Sequence, residues 1–242
     1  MKKRRTSKIG KRMTAANVRN TSMKVQHGYP TGPATALTMG RLLNDRLPWP
    51  SYATANTLTN RTRNIIKVSS IKICRHFEYP DTVNDVGPIE VHWCLVQAKD
   101  PDMLHTSLDY LNDFFRDNST STSRTTNFPS YVGSSPWNLL LNCGAINPHN
   151  KLKVLTHQRK MLTQYSLVAG RKDDHIWRIN RFYKINKNMS FEQTTDTEPQ
   201  NTIFELFWYN TVSPSKFPAD PTAVQYIETD RANTVYWKNM RS

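Results

Sequence analysis

The chain has 242 residues, of which 37% are hydrophobic, with a formal net charge of +14 and three cysteines. This length suits one large domain or two small ones. No apolar run approaches the roughly 18 residues of a membrane-spanning helix, and an odd, small number of cysteines does not suit a disulfide scaffold. We therefore expect neither a membrane protein nor a disulfide-rich secreted one, and a reducing compartment.

The N-terminal segment is strongly basic. The first 25 residues contain nine lysines and arginines and no acidic residue. Such a segment repels itself and has too little apolar surface to fold alone, so we predict that residues 1–26 form an arm. Its natural counterpart is a polyanion, because each neutralised phosphate releases condensed counterions. The predicted nucleic-acid-binding residues are Lys2, Lys3, Arg4, Arg5, Lys8, Lys11, Arg12, Arg19 and Lys24.

Residues 27–60 are predicted to form an irregular linker, because several prolines and glycines interrupt the stretch. Within it, Leu42, Leu43 and Leu47 share an apolar side if residues 38–46 form a short helix. This segment is therefore interpreted as an extension of the main domain.

From about residue 64 the hydrophobic pattern has a period of two, which is typical of strands with one buried face. These segments are rich in β-branched and aromatic residues, which suit a pleated surface. Around residues 203–209 both faces are apolar or aromatic except at Glu205, so we predict a strand covered on both sides. The predicted strands include residues 64–79, 89–98, 151–154, 177–186, 203–209 and 226–237.

One segment departs from this pattern. Asp100 followed by Pro101 is a typical helix start, with the aspartate as N-cap and the proline in the first turn. A single apolar stripe then follows at helical spacing: Leu104, Leu108, Leu111 and Phe115. The pattern predicts an all-β fold with one inserted helix, a sandwich or a jelly roll rather than alternating β and α units.

Several segments resemble viral coat proteins. VSSIKICRHFEY and IEVHWCLVQAKDPD, followed by LDYLNDFFRD, are similar to the strand–strand–helix region of geminivirus coat proteins. KLKVLTHQRKML, IWRINRFYKIN and TIFELFWYNTVS resemble later strands of the same group. The resemblance covers roughly residues 64–212. Circovirus and genomovirus capsids are similar as well, so the virus family stays open.

The resemblance implies a particular architecture and function. Residues 61–242 would form an eight-stranded antiparallel jelly roll with one inserted helix, and the arm would be disordered or ordered by DNA. The protein would be a capsid subunit without catalytic activity or cofactor. Its copies would form an icosahedral shell, of T=1 type, around a circular single-stranded DNA genome.

The resemblance also implies where the protein acts. The KKRR sequence in the arm resembles a nuclear localisation signal, so we expect a host nuclear import receptor as a further partner. The expected locations are the virion and, during assembly, the host nucleus. We expect no membrane contact.

Two other classes of function stay open. A sequence-tolerant nucleic-acid-binding protein, such as a nucleoprotein or a nuclear-shuttle or movement protein, would also need a basic arm. A divalent-metal nuclease would need several carboxylates. For that class the sequence offers only Pro80-Asp81 followed by Gln97-Ala98-Lys99, a loose match to the PD-(D/E)xK nuclease motif with glutamine in the acidic position. Glu90 would have to supply a further carboxylate, and it is out of phase with the usual position.

The strongest metal candidate is Cys74-x-His76 with His92-x-Cys94, because two cysteines and two histidines form a common zinc ligand set. In a hairpin of the two strands the four side chains would meet. In a jelly roll these consecutive strands lie in opposite sheets. We therefore predict that the four are surface or interface residues and that no metal is bound.

The aromatic residues fall into two groups. One group lies at core positions of the predicted strands: Trp93, Trp177, Tyr183 and Trp237. The other lies in predicted loops, where we expect contacts between subunits rather than base stacking: Trp49, Tyr52 and Trp137.

Overall fold

The computed structural model of the chain describes residues 23–28, 35–38, 43–55, 57–79, 88–107, 151–163, 175–211 and 225–240. Within these ranges no α-helix occurs, and none of the described helical turns is long and apolar enough to cross a membrane. The strands in the described ranges are β1 (Lys24–Gly28), β2 (Thr35–Thr38), β3 (Leu43–Arg46), β4 (Ile65–Glu78), β5 (Ile89–Ala98), β6 (Leu152–Leu162), β7 (Ile176–Ser190), β8 (Ile203–Thr211), β9 (Gln225–Arg231) and β10 (Asn233–Asn239).

These strands form two antiparallel sheets. The larger, six-stranded sheet has the order β1-β10-β4-β9-β2, and β7 also pairs with β4. The smaller sheet has the order β3-β8-β5-β6. Buried apolar side chains of both sheets form one core, for example Ile71 and Phe77 of β4 with Trp93 of β5 and Phe207 of β8. The prediction of an all-β sandwich is confirmed.

The alternating pattern of the sequence explains which face of each sheet is buried. Ile71 and Ile73 are fully buried, whereas Lys72 between them and Cys74 after them are partly exposed. In β8, every residue from 203 to 209 is buried. The predictions of a half-buried strand at 64–79 and of a strand covered on both sides at 203–209 are confirmed.

The segment predicted to be irregular contributes one strand to each sheet. β2 pairs with β9, and β3 pairs with β8. The short helix predicted for residues 38–46 is therefore wrong over Leu43–Arg46. Leu43 lies opposite Phe207 of β8, and pairing with a partner so distant along the chain overrides the local leucine spacing.

The predicted helix does not begin at Asp100 and Pro101. The N–H of Asp102 donates to Asp100 Oδ1 at 3.1 Å, so the aspartate closes a turn instead of capping a helix. A single turn of 3₁₀ helix follows at His105–Ser107. The rest of the predicted helix, from Leu108 to Phe115, lies outside the described residues.

A buried ion pair joins the two sheets. Arg75 of β4 donates from Nε to Glu205 Oε2 at 3.0 Å and from Nη2 to Oε1 at 2.8 Å. Both residues are almost inaccessible, with 2% and 0% exposure. Nη2 of Arg75 also contacts Asp45 Oδ2 of β3 at 2.6 Å. One guanidinium therefore connects three strands across the core.

The remaining polar atoms of this pair are also bonded. Trp93 Nε1 donates to Glu205 Oε2 at 2.7 Å, and Asn233 Nδ2 donates to Oε1. Burial alone would raise the pKa of Glu205, but Arg75 and these hydrogen bonds hold it below its usual value. Burial likewise opposes the charge of Arg75, yet the two carboxylates raise its pKa. Both groups are thus charged inside the core.

We predict that Arg75→Met lowers the free energy of unfolding by about 3–5 kcal/mol, because the buried carboxylate of Glu205 loses its cation. The double variant Arg75→Met/Glu205→Gln should recover most of this loss, since the glutamine is neutral and still accepts the bond from Trp93. Urea unfolding at neutral pH measures both variants. Arg178→Met, at an exposed arginine of β7, is the control and should change stability by no more than about 0.5 kcal/mol. A double variant as unstable as Arg75→Met would contradict this interpretation.

Candidate nucleic-acid interface

Only one of the nine basic residues predicted to bind nucleic acid lies within the described residues. Lys24 belongs to β1 and is 1% exposed. Its Nζ donates to the backbone oxygen of Asn60 at 3.1 Å and lies 5.1 Å from the centre of the Trp237 ring. Burial lowers the pKa of Lys24. Lys24 therefore anchors the first strand, and the other eight residues, from Lys2 to Arg19, lie outside the described ranges.

Met23 shows where the basic segment joins the sandwich. Ser69 Oγ lies 3.3 Å from Met23 Sδ and 3.0 Å from the backbone oxygen of Tyr236. Ser69 occupies the bulge of β4, where the register with β10 shifts. The Met23 side chain therefore lies against β4 on the outer side of the six-stranded sheet.

This outer side carries a cluster of lysines. Lys72 of β4 lies opposite Phe182 of β7, and Lys67 lies opposite Lys238 of β10. Directly paired residues of neighbouring strands point to the same face of a sheet. We call this surface the lysine face and define it by Lys67, Lys72, Phe182, Lys184, Tyr236 and Lys238.

Two aromatic rings lie among these lysines. Phe182 is 58% exposed, and its ring centre is 5.7 Å from that of Tyr236 with an interplanar angle of 53°. Tyr236 and Lys184 both pair with Ser70, which places the rings between cations. Rings interleaved with lysines can stack bases while the ammonium groups contact phosphates.

Carboxylates gather at the opposite end of the same sheet. Glu78 pairs with Glu228, and His76 pairs with Asp230 of β9. The lysines therefore lie near the beginning of β4, whereas the three acidic residues lie near its end, together with the exposed Arg178 that pairs with His76. An anionic ligand is attracted more strongly to the lysine end.

The four proposed zinc ligands do not form a site. β4 and β5 lie in opposite sheets, as predicted, and Cys74 Sγ lies 3.6 Å from Asn180 Oδ1 on the outer face. The prediction that His92 and Cys94 are surface or interface residues is wrong, because the chain itself leaves them only 0% and 2% exposed and covers β5 on both faces. Across the described part of the chain, no group of three or more potential ligands is arranged to hold a metal ion.

The residues considered for a nuclease site are engaged elsewhere. Glu90 Oε1 forms an ion pair with Arg159 at 3.2 Å. Gln97 Oε1 accepts a hydrogen bond from Lys187 Nζ at 2.8 Å. Asp81 lies outside the described residues.

His92 belongs to a stack of rings on the side of β5 that faces away from the core. Its ring centre lies 4.9 Å from Trp208 and 5.4 Å from His157. His92 Nδ1 is 3.1 Å from His157 Nε2. Burial, His92 and Arg159 lower the pKa of His157 to about 4, although Glu90 opposes the shift. The stack therefore favours a neutral His157.

The prediction that Trp49 contacts another subunit is wrong, since this residue is 7% exposed and belongs to the core. The Tyr52 ring lies 5.5 Å from the guanidinium of Arg61. Trp49 and Tyr52 both line a cleft of about 570 Å³. Trp137 lies outside the described residues. Trp93 and Trp237 are fully buried, as predicted.

The lysine face was missed by sequence reasoning, although β7 contains the pattern that reveals it. Ile179 and Tyr183 face the core, so Phe182 falls at an outward position beside Lys184. A large aromatic residue at a solvent position, next to lysine, is the feature that points to a ligand. The contributions of β4 and β10 require the strand pairing.

No protein-family model matches the chain, and no curated protein matches its sequence. Its function is therefore inferred from the fold and the charge distribution of the chain itself.

We predict that the protein loses stability as the pH falls from about 6.5 towards 4, and that His157→Gln reduces this loss. The pKa of His157 is about 4 in the fold and about 6.5 in the unfolded chain. Between these values the unfolded state binds more protons, so acid favours unfolding. Thermal unfolding across this pH range measures the effect, and His27→Gln, at an exposed histidine of β1, is the control. An unchanged pH dependence in His157→Gln would contradict the role assigned to the stack.

Proposed function

We propose that the chain is the capsid subunit of a small circular single-stranded DNA virus and that its sandwich is a jelly roll. The observation that supports this most directly is the choice of pairing partners among the strands. The basic N-terminal segment supplies the second argument.

A jelly roll winds eight antiparallel strands so that the first pairs with the eighth, the second with the seventh, the third with the sixth and the fourth with the fifth. Setting aside β2 and β9, which pair with each other beside the end of β4, leaves eight strands. Of these, β1 pairs with β10, β3 with β8, β4 with β7 and β5 with β6. All four nested pairs are present.

A jelly roll alone does not decide the function, because lectins and cupins share it. The space between the described strands is filled by apolar side chains and by the pair Arg75–Glu205, which does not suit a cupin-like ligand site. The basic segment preceding β1 favours a capsid. About sixty copies would carry on the order of 800 formal positive charges against the phosphates of a packaged genome.

In this proposal the subunit is not an enzyme and needs no cofactor. Its partners are the single-stranded DNA genome, other copies of the chain in an icosahedral shell of T=1 type, and a host import receptor that binds the KKRR segment. The protein acts in the virion and, during assembly, in the host nucleus.

The alternative is a sequence-tolerant nucleic-acid-binding protein that forms no shell. The lysine face supports this alternative as much as it supports a capsid subunit, since a basic surface can bind nucleic acid without assembly into a shell. A metal-dependent nuclease is disfavoured, because Glu90 is already paired with Arg159.

We predict that the purified chain forms uniform closed particles in negative-stain electron microscopy and that deleting residues 2–22 removes most of their nucleic acid without unfolding the sandwich. The deletion keeps β1 and the buried Lys24. The ratio of absorbance at 260 and 280 nm measures nucleic acid, and circular dichroism measures folding. The control is a full-length variant with glutamine at the eight basic positions from Lys2 to Arg19, which should behave like the deletion.

A full-length chain that stays soluble and bound to nucleic acid but forms no closed particle would contradict the capsid proposal and support the alternative. An insoluble deletion variant, or one that retains as much nucleic acid as the full-length chain, would contradict the division into arm and sandwich.

We predict that binding to single strands depends steeply on salt and little on base sequence. Phosphate contacts provide affinity without sequence information. Eight arm charges at about −0.7 each give a slope of log K against log salt near −5 to −6 or steeper. Titration of oligonucleotides of differing sequence between low and moderate salt measures it. A slope shallower than about −2, or a strong preference for one sequence, would indicate a base-reading pocket instead.

A further inference from the structure

We propose that the lysine face itself binds single-stranded nucleic acid, with bases stacking on Phe182 and Tyr236 and phosphates contacting the lysines around them. This site belongs to the folded sandwich and is distinct from the arm. It does not depend on shell formation, so it goes beyond the capsid proposal.

Within the described part of the chain, the lysines of this face have no carboxylate as an ion-pair partner. None of Lys67, Lys72, Lys184 and Lys238 forms an ion pair with another residue of the described ranges. Lys67 and Lys238 are direct cross-strand partners, an arrangement that destabilises a sheet when both residues carry the same charge. A bound polyanion removes this repulsion, which is the physical reason for assigning a ligand to the face.

The aromatic pair indicates which polyanion fits. Phe182 is 58% exposed on a strand whose apolar neighbours Ile179 and Tyr183 face the core. Bases stack on exposed rings of a sheet only when they are unpaired, as single-stranded RNA does on aromatic residues of RNA-binding sheets. A duplex hides the faces of its bases. The ligand class is therefore a single strand.

The entry point of the chain supports the same ligand. Met23, which follows the eight basic residues outside the described ranges, contacts Ser69 beside Tyr236. A nucleic acid held by residues that precede Met23 would be tethered to this sheet, so its binding to the lysine face would become intramolecular and its effective concentration would rise. The acidic end of the sheet, with Glu78 and Glu228, limits the site to one half of the surface.

The first experiment detects contact directly. A 20-nucleotide oligomer containing 5-iododeoxyuridine is irradiated with the full-length protein, and cross-linked peptides are identified by mass spectrometry. We expect cross-links at Phe182 or Tyr236. Cross-links found only outside β4, β7 and β10 would overturn the proposal.

The second experiment separates stacking from charge. Phe182→Leu keeps an apolar side chain, and it should weaken binding of the full-length protein to oligo(dT) about tenfold, within the range for base–aromatic stacking. Its affinity for an abasic oligomer of the same length should not change, because that oligomer offers phosphates without bases. Equal loss for both oligomers, or no loss for either, would overturn the stacking role.

The third experiment tests the lysines against a matched control. Lys67→Gln/Lys72→Gln/Lys184→Gln should make the salt slope for oligo(dT) shallower by about 2, at roughly 0.7 per contact. The control removes the same charge from exposed lysines at the end of β5 and the beginning of β6, at Lys99, Lys151 and Lys153. Equal effects of the two triple variants would show a response to net charge alone and overturn the proposal.

Two further readouts identify other occupants of this face. Phosphatidylserine vesicles test a lipid surface, and particle size measured by light scattering tests contact between copies of the chain. If the triple variant of the lysine face loses either of these while keeping its oligonucleotide affinity, the proposal is overturned. Failure of the chain to form shells would contradict the capsid proposal but leave the cross-linking and affinity results unaffected.

Discussion

The sandwich depends on one buried ion pair. Arg75 and Glu205 are 130 residues apart in sequence, lie in opposite sheets and have almost no access to solvent. Removing two charges from water is expensive, and the interaction repays this only when every polar atom is bonded. Here Trp93 and Asn233 donate the remaining hydrogen bonds to the carboxylate, while Asp45 and Thr229 accept those of the guanidinium. We infer that the pair selects a single alignment of the sheets, because sliding either sheet by one residue would leave a buried charge without its partner.

That alignment decides what each outer surface can do. With β8 and β5 covered on both faces, the smaller sheet keeps His92 and Cys94 buried, away from the outward Cys74 of the larger sheet. The larger sheet keeps an outer face in which the lysines of β4, β7 and β10 come together. β1 joins this sheet at its edge, beside β10, and Met23 immediately before it contacts Ser69 of β4.

The sequence predicts those parts of the fold that depend on local alternation. Ile71, Lys72 and Ile73 show the half-buried face of β4, and the apolar run around Glu205 shows that β8 is covered twice. The sequence does not show which residues distant along the chain contact each other in the fold. Arg75 occupies an inward position of β4 as a single charge among apolar residues, and nothing nearby indicates that its partner lies on β8. The position of Lys24 could not be predicted from the sequence either. A count of charges does not distinguish a buried lysine packed over the Trp237 ring from one that extends into solvent.

Two kinds of cation therefore occur among the described residues: those neutralised inside the protein and those without a described counterion. Arg75 and Lys24 are satisfied inside the protein by carboxylates, a carbonyl oxygen or a ring, so their charge serves the fold. Lys67 and Lys238 face each other across a strand pair without a described counterion, which opposes folding of the isolated chain. A sheet that keeps such a pair on the same face as an exposed Phe182 gains from an external anion the counterion that it lacks internally. A single-stranded nucleic acid fits this face best, because its phosphates neutralise the lysines and its unpaired bases can stack on the exposed ring.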